Sequence, residues 1–144
     1  MITVKQILDD KGYAAWTISP DDKVLNALKL MAEKGIGALV VVKDDIIGII
    51  SERDYARKII LLGRQSQDTP VRDIMTAPVY GVRLETTAEE CMALMTKKRI
   101  RHLPVCKEGK LIGVVSIGDI VKAIIEQQKG TIASLEGYIM GKYQ

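Results

Sequence analysis

The chain has 144 residues, 47% of them hydrophobic and 27% charged, and a formal net charge of +3. The length suits one ordinary domain or two small halves that share a core, and the composition is that of a soluble globular protein. So mild a charge does not by itself support binding to nucleic acid. No run approaches the ~18 apolar residues of a membrane span, and the N-terminus does not resemble a signal peptide.

The two cysteines, Cys91 and Cys106, form no CxxC motif and are expected to be buried apolar side chains in a reducing compartment, with a disulfide as the less favoured alternative. Together with the single histidine they make no cluster of metal ligands. The sequence therefore predicts a cytoplasmic protein with no metal and no membrane partner.

The first predicted elements along the chain are a short strand around Trp16 and a helix over residues 21–34. Ser19 is expected to cap this helix, and Pro20 suits its first position. Apolar residues then recur at helical spacing until Gly35, which is expected to end the helix.

Two β-branched runs follow this helix, ALVVV at 38–42 and IIGIIS at 46–51. They predict two adjacent strands joined by a turn. A second helix is expected over 54–62, and the polar stretch RQSQDTP at 64–70 is expected to be a linker.

The second part of the chain repeats the first. IGIISERD at 47–54 returns as IGVVSIGD at 112–119, and VKQIL at 4–8 returns as VRDIM at 71–75. The repetition predicts the same order of elements in both parts. The second copy should contain a first strand around Tyr80, a helix over 86–99 begun by a Thr87–Glu90 capping box, strands over 103–106 and 111–116, and a helix over 117–128.

Each half is thus predicted as strand, helix, strand, strand, helix. Neither half is long enough to form a stable domain by itself. The expected fold class is α/β (α+β), with two β-α-β-β-α repeats packed face to face and small mixed sheets flanked by helices. The predicted boundaries are 2–62 for the first repeat, 63–70 for the linker, 71–128 for the second repeat and 129–144 for an amphipathic tail.

The repeated serine and aspartate, Ser51 with Asp54 and Ser116 with Asp119, allow two interpretations. A serine at a strand end with a carboxylate three residues later can form a helix capping box, which contributes ~1 kcal/mol. A carboxylate can also accept hydrogen bonds from the two adjacent hydroxyls of a ribose, and a serine hydroxyl beside helix N–H groups suits a phosphate. Recurrence at matched register leaves the two interpretations balanced.

The motifs IRHLPV at 100–105, IGVVSIGD at 112–119 and SERDYARK at 51–58 together resemble a tandem CBS-domain protein, or Bateman module. The resemblance covers residues 2–128, and stand-alone bacterial CBS-pair proteins and related plant forms look closest. It implies two repeats with pseudo-twofold symmetry, adenosine-containing ligands in clefts between them, and a flat homodimer. AMP is the first candidate ligand, with ADP, ATP, NAD and S-adenosylmethionine as others.

The resemblance also carries ligand roles to particular positions. The serine and aspartate of each copy match the phosphate and ribose positions of the family, and the first strand of each copy matches the segment along the adenine. Ordinary strand packing is the alternative for those first strands. The residues are Ser116 and Asp119, with Val79, Tyr80 and Gly81 in the matching first strand, and Ser51 and Asp54, with Ala15, Trp16 and Thr17 in theirs.

The two copies differ in charge. The second carries Arg101 and His102 just before LPV at 103–105, where the first has small residues. The planar guanidinium of Arg101 suits a phosphate. His102 matches a family position near the phosphate, and a solvated or structural histidine is the alternative. The first copy offers Arg53 where the second has Gly118. The second copy is therefore predicted to organise the primary ligand site.

Other functions are weighed against this one. Ser116, His102 and Asp119 contain the residue types of a hydrolase triad, but no G-x-S-x-G elbow surrounds the serine, so the protein is predicted not to be an enzyme. A nucleic-acid-binding protein using the basic run at 97–102 is one alternative, although few aromatic residues are available for base stacking. A purely structural dimerisation unit is another.

The predicted function is a regulatory module that senses an adenine nucleotide and signals by a change of conformation or association to an unknown effector protein. A homodimer is expected, because the predicted helices exceed what two thin sheets need to cover. The tail carries Ile132, Leu135, Tyr138 and Ile139 at near-helical spacing, which suits packing on the module or a partner-facing helix.

Overall fold

The computed structural model describes residues 1–128, so the predictions for the tail at 129–144 lie outside the described residues. The mixed α/β class is confirmed, with helices and small sheets alternating along the chain. The elements in chain order are α1 (Val4–Lys11), β1 (Thr17–Ile18), α2 (Val24–Lys34), β2 (Ala38–Lys43), β3 (Asp45–Ser51), α3 (Glu52–Tyr55) followed by a π-helical turn (Ala56–Ile60), a 3₁₀ turn (Val71–Asp73), α4 (Ala88–Lys98), β4 (His102–Lys107), β5 (Lys110–Ser116) and α5 (Ile117–Gln127).

These elements form two compact units. The central unit is Ala14–Gly81, and the terminal unit joins Met1–Tyr13 to the described residues from Val82 on. The central unit has a three-stranded sheet in which β2 is parallel to β1 and antiparallel to β3, and the terminal unit has the antiparallel pair β4 and β5. None of the helices within residues 1–128 is long and apolar enough to cross a membrane.

Each unit contains a helical segment from the opposite sequence copy. α1 of the first copy lies in the terminal unit, where Val4 and Leu8 are fully buried. The 3₁₀ turn of the second copy lies in the central unit, where Val71 and Ile74 are fully buried. The repeated motifs VKQIL and VRDIM are therefore structurally exchanged between the two copies.

The start of α2 differs from the prediction. The helix begins at Val24 rather than at residue 21, and Ser19 does not cap it. Residues 20–22 form a turn instead, closed by a hydrogen bond from the Asp22 N–H to the Ser19 carbonyl, and the carbonyl groups of Pro20 and Asp22 accept from the backbone N–H groups of Arg72 and Val71. This tertiary pairing outweighs the local capping signal of the sequence.

The first strand of the second copy is also shorter than predicted. Residues 79–81 form no strand, and only Val82 makes a bridge to β4. In the central unit the N–H of Val40 donates to the Trp16 carbonyl, but the matching residue of β4 is Pro104, which has no N–H to donate. A strand extended back to residue 80 would therefore lack the hydrogen bond that Trp16 receives from β2 in the central unit.

Some other predictions are confirmed, and others hold only in part. The Thr87–Glu90 capping box begins α4, and Gly35 ends α2 in the left-handed conformation with a φ of 65°. Cys91 is fully buried, whereas Cys106 is only partly buried. The predicted helix over 54–62 begins two residues earlier and changes to a π-helical turn after Tyr55.

Candidate functional site

Ser116 and Asp119 lie at the junction between β5 and α5. The Ser116 N–H donates to Asp119 Oδ2 at 2.8 Å, and the Asp119 N–H donates to Ser116 Oγ at 3.2 Å. The pair is a complete capping box for α5. The capping interpretation thus holds at this position. The capping box uses only Oδ2 of the Asp119 carboxylate and does not involve Oδ1.

Ser51 and Asp54 form the same capping box at the start of α3. Asp54 Oδ2 accepts from both the N–H and the Oγ of Ser51, at 3.0 and 3.1 Å. Asp54 Oδ1 accepts from Thr76 Oγ1 at 3.0 Å and lies 3.2 Å from Lys58 Nζ. A carboxylate offers about four acceptor positions, so these four contacts use the capacity of Asp54, whose side chain is 12% exposed.

Asp119 has a more open environment. Its Oδ2 accepts from Ser116 and lies 2.7 Å from Lys11 Nζ, and its Oδ1 has no hydrogen-bond donor among residues 1–128. The side chain is 23% exposed. Burial raises the pKa of Asp119, but the hydrogen bonds from Lys11 and Ser116 outweigh burial and hold the pKa below its usual value. Asp119 is therefore an ionised carboxylate with one oxygen available to a ligand.

Arg101 immediately precedes β4 and His102 begins it, next to the helix start that carries Asp119. His102 is the cross-strand partner of Ser116, and the Arg101 carbonyl accepts from the Ile117 N–H at 2.8 Å. Burial lowers the pKa of His102; Asp119 opposes this shift, whereas Lys11 and Arg101 add to it. The structure thus brings the two predicted basic residues to the N-terminus of α5.

Gly118 lies in the first turn of α5 and is exposed. A Cβ at this position would meet only Ser116 Oγ, at 3.6 Å. The predicted residues of the second copy that follow residue 100 are therefore clustered around one helix start. They are Arg101, His102, Ser116, Gly118 and Asp119.

Ser116, His102 and Asp119 do not have the geometry of a catalytic triad. Ser116 Oγ accepts the Asp119 N–H, and no hydrogen bond joins the His102 ring to either partner within the described part of the chain. A triad requires the histidine to bond both the nucleophile and the carboxylate.

The predicted residues of the first copy gather at one end of the central sheet. Ser51 ends β3 opposite Ala38, and Thr17 pairs with Val40 near the start of β2. Trp16 and Ala15 immediately precede β1, and Arg53 is exposed in α3. The Trp16 ring is 40% exposed, and Lys34 Nζ lies over it, 4.2 Å from the centroid. One face of the indole is thus occupied by a cation.

Val79, Tyr80 and Gly81 lie in an irregular segment at the end of the central unit. Val79 and Tyr80 are partly buried and Gly81 is exposed. Because they form no strand, the predicted strand along an adenine at this position is wrong as secondary structure, and the ligand role of the three residues stays a prediction.

Lys11, Thr76 and Lys58 contact the two aspartates but were not predicted from the sequence. Lys58 lies four residues after Asp54 on the same helical segment, a spacing from which an ion pair can be predicted. Lys11 and Thr76 reach the aspartates only because their segments are exchanged between the copies. No local sequence pattern indicates that exchange.

The basic run at 97–102 has the environment predicted from its charge. Lys97 and Lys98 occupy the last turn of α4, and Arg99 caps the helix in the left-handed conformation with a φ of 56°. Cations in this position stabilise the negative end of the helix dipole.

The sequence and the structure were compared with known proteins. The sequence profile of the CBS domain matches residues 2–61 and 71–126. The mitochondrial CBS domain-containing protein CBSX3 of Arabidopsis thaliana is 44% identical over an alignment of 151 residues, gaps included. The alignment covers 98% of this chain and 73% of the plant protein. The solved structure of a proposed signal-transduction protein with CBS domains from Burkholderia ambifaria is 56% identical, with a TM-score of 0.83 over 88% of this chain and 96% of that chain.

A more distant solved structure is the CBS domain pair of protein MJ0100 in complex with 5′-methylthioadenosine and S-adenosyl-L-methionine. It is 22% identical, with a TM-score of 0.76 over 88% of this chain and 98% of that chain. At that identity the likeness shows a shared fold.

Proposed function

Since this chain belongs to the CBS-domain family, in the two copies that its sequence predicts, we propose that it is a regulatory module that binds an adenine nucleotide and catalyses no reaction. Stand-alone CBS-pair proteins are regulatory, and the Burkholderia relative is described in terms of signal transduction. The ligand identity and the residues that hold it are the parts proposed here.

The observation that carries the proposal is Asp119 Oδ1, which accepts no hydrogen bond from residues 1–128 and lies at the helix start that Arg101 adjoins. An ionised carboxylate with an unused acceptor can take a hydrogen bond from a ribose hydroxyl, and a hydrogen bond to a charged group contributes roughly 1.5–3 kcal/mol. Arg101 is exposed at the same helix start and can meet a phosphate through two N–H groups. Gly118 completes the site with its N–H group in the first turn of α5, and Ser116 with its hydroxyl group.

The proposed ligand class is adenosine with phosphate attached. The MJ0100 pair is described with two adenosine-containing ligands, which supports an adenosine site in this family. In the present chain, Lys11 is paired with Asp119, and the exposed Arg101 lies at the same helix start, where its carbonyl accepts from the Ile117 N–H. A phosphate can meet these two cations, so AMP, ADP, ATP or NAD is proposed over an uncharged or cationic adenosine derivative, and AMP is the first candidate.

The two aspartates are proposed to be unequal. Asp54 already accepts four protein contacts, whereas Asp119 retains an open oxygen. A ribose at Asp54 must displace Thr76 or Lys58, and a ribose at Asp119 displaces neither of its partners. We therefore assign the primary ligand role to the terminal unit, and a weaker role to Ser51, Arg53 and Asp54.

Self-association and an effector protein belong to the same proposal. Ile117, Val121 and Ile125 are 38–50% exposed and recur every four residues on α5, so they form one apolar stripe. A second copy of this chain is the proposed occupant of that stripe. Ligand binding at Asp119, at the start of the same helix, would then alter the association that an effector reads.

The cytoplasmic location expected from the sequence is a separate proposal. Cell fractionation would test it.

The decisive experiment is calorimetric titration of the full chain with AMP, ADP, ATP, NAD and S-adenosylmethionine, in parallel with oligonucleotide binding at two salt concentrations. Saturable binding of a phosphate-bearing adenine ligand supports the proposal. Binding of the oligonucleotide with a steep salt dependence, without binding of any adenine ligand, would establish the nucleic-acid alternative instead. Association of the chain with neither class of ligand would favour the structural dimerisation unit.

A further inference from the structure

Lys11 is the last residue of α1 and contacts Asp119 of the proposed ligand site. It belongs to neither of the two Ser–Asp motifs. Its Nζ lies 2.7 Å from Asp119 Oδ2 and donates to the Val114 carbonyl at 3.0 Å. The side chain is 38% exposed. The ammonium group is therefore anchored at two points beside the carboxylate while it remains accessible to solvent.

The hydrogen-bonding capacity of Lys11 is not exhausted. A lysine ammonium has three N–H donors, and the two contacts to Asp119 and Val114 use two of them. Asp119 correspondingly retains its Oδ1. Within the described residues, the ion pair thus presents one unused donor with positive charge next to one unused acceptor with negative charge, and a phosphorylated ribose can bind both.

Space for a ligand group exists next to this pair. A cavity of about 210 Å³ lies between α1 and α5, and Lys11 and Asp119 both line it. Asp10, Lys122 and Glu126 provide the other charged groups of its lining. The charged lining thus has three carboxylates and two lysines. Because its contacts with Asp119 and Val114 already fix Lys11 in position, this lysine would hold a phosphate at a lower entropic cost than a free surface side chain.

The central unit provides an internal contrast. There Lys58 pairs with Asp54 and also donates to a backbone carbonyl, that of Ile74, at 3.0 Å. The residue that matches Lys58 in the second copy is Ala123. A lysine thus neutralises the aspartate in each unit, but in the terminal unit it comes from the exchanged helix α1 and leaves Oδ1 of the aspartate open.

We propose that Lys11 is a specificity-determining residue of the Asp119 site, which makes the site prefer adenine ligands that carry phosphate over the neutral nucleoside. The inference rests on the proposed function. It assigns to the N-terminal helix, which belongs to the first sequence copy, a role in the ligand site of the second copy.

The test is calorimetric titration of the full chain with AMP and with adenosine, using the wild type and the variants Lys11→Met, Lys11→Gln, Lys11→Arg and Lys5→Met. Lys5 is the matched control, because it lies on the same helix and its ion pair in the described part of the chain is with the exposed Asp9. Thermal melting of each variant establishes that it is folded, and Lys11→Gln serves in place of Lys11→Met if the latter is not.

The expected result is that Lys11→Met weakens AMP binding by about tenfold, while adenosine binding is unchanged or tighter because Asp119 Oδ2 becomes available. Lys11→Arg should retain the preference for AMP, and Lys5→Met should change neither ligand. Equal weakening of AMP and adenosine by Lys11→Met, or no effect on either, would overturn the role of Lys11 and leave the proposed function intact. A wild-type chain that binds neither ligand would overturn both.

Discussion

Leu8 of α1 lies directly against Gly113 of β5, so closely that no side chain fits between them. A Cβ added to Gly113 would lie 2.8 Å from Leu8 Cδ1 and 3.1 Å from Leu8 Cδ2. Leu8 is fully buried and cannot move outward. The matching glycine of the central unit, Gly48, faces Met75 in the same way, with the sulfur 2.6 Å from an added Cβ. Each glycine therefore admits the helical segment of the opposite copy.

Gly113→Ala should destabilise the fold by roughly 1–3 kcal/mol, the usual cost of overpacking a core. Urea denaturation monitored by circular dichroism would measure the loss. Gly118→Ala is the matched control, since its added Cβ meets only an ordinary contact and alanine favours a helix. If the two variants have equal stability, α1 does not pack on β5 as described.

Asp119→Ala should weaken the binding of AMP and adenosine alike, by ten- to a hundredfold, because it removes the acceptor common to both ligands. Asp54→Ala should leave the tighter site nearly unchanged, since its carboxylate is already engaged by protein donors. Calorimetric titration would rank the two. Loss of the tight site in Asp54→Ala, with retention in Asp119→Ala, would reverse the assignment of primary and secondary sites.

The stability of the same two variants should follow the opposite order. Asp54→Ala removes the acceptor for Ser51, Thr76 and Lys58 from a nearly buried position, and we expect a loss of roughly 2–3 kcal/mol. Asp119→Ala, in a more open site, should cost ~1 kcal/mol. Chemical denaturation of the ligand-free proteins provides the comparison. A larger loss in Asp119→Ala would contradict the difference in hydrogen bonding.

His102 should make the protein less stable as the solution is acidified below neutrality. The folded-state pKa of this residue lies below its ordinary value of 6.5, because burial disfavours the charged ring. The unfolded chain therefore takes up the proton first, so stability is complete above about pH 6.5 and falls as the pH decreases toward the folded-state pKa. His102 is the single histidine. In His102→Gln, the denaturation midpoint should therefore change less between pH 7.5 and 5.5 than it does in the wild type. Parallel pH profiles would show that another group is responsible.

Val121→Glu should dissociate a dimer formed through the α5 stripe, because it places a charge at the centre of an apolar contact. Sedimentation velocity at increasing protein concentration should show at least a tenfold rise in the dimer dissociation constant. Gln127→Glu, an exposed position in the last turn of the same helix, is the control for added charge. Unaltered association in Val121→Glu would exclude the stripe as the interface.

Much of the fold could be predicted because its local signals agree with its packing. Two β-branched runs predicted β2 and β3, and the Thr87–Glu90 box predicted the start of α4. The start of α2 could not be predicted, since the capping signal at Ser19 competes with pairing to residues 71–72, which lie far away in the sequence. The shortened strand before Val82 was predictable in principle. Pro104 has no backbone N–H, so it cannot donate a hydrogen bond to a neighbouring strand.

The candidate site was predicted only in part. The Ser–Asp motif identified both helix starts, and the adjacent Arg101 and His102 identified the more basic one. Lys11 was missed, because a repeat shows which segments are equivalent without showing which copy each segment packs against. The difference between Asp54 and Asp119 depends on that packing, so it is absent from the sequence pattern.

The exchange of helical segments also determines the order in which the protein can be completed on the ribosome. The central unit uses a contiguous stretch of chain and can close once residue 81 has emerged. The terminal unit has its first helix at the start of synthesis, but contacts such as that of Lys11 with Val114 join residues 103 positions apart. The apolar face of α1 must therefore wait for the second copy. A single repeat would have to borrow this segment from another chain, so the smallest self-complete form of this architecture is a pair.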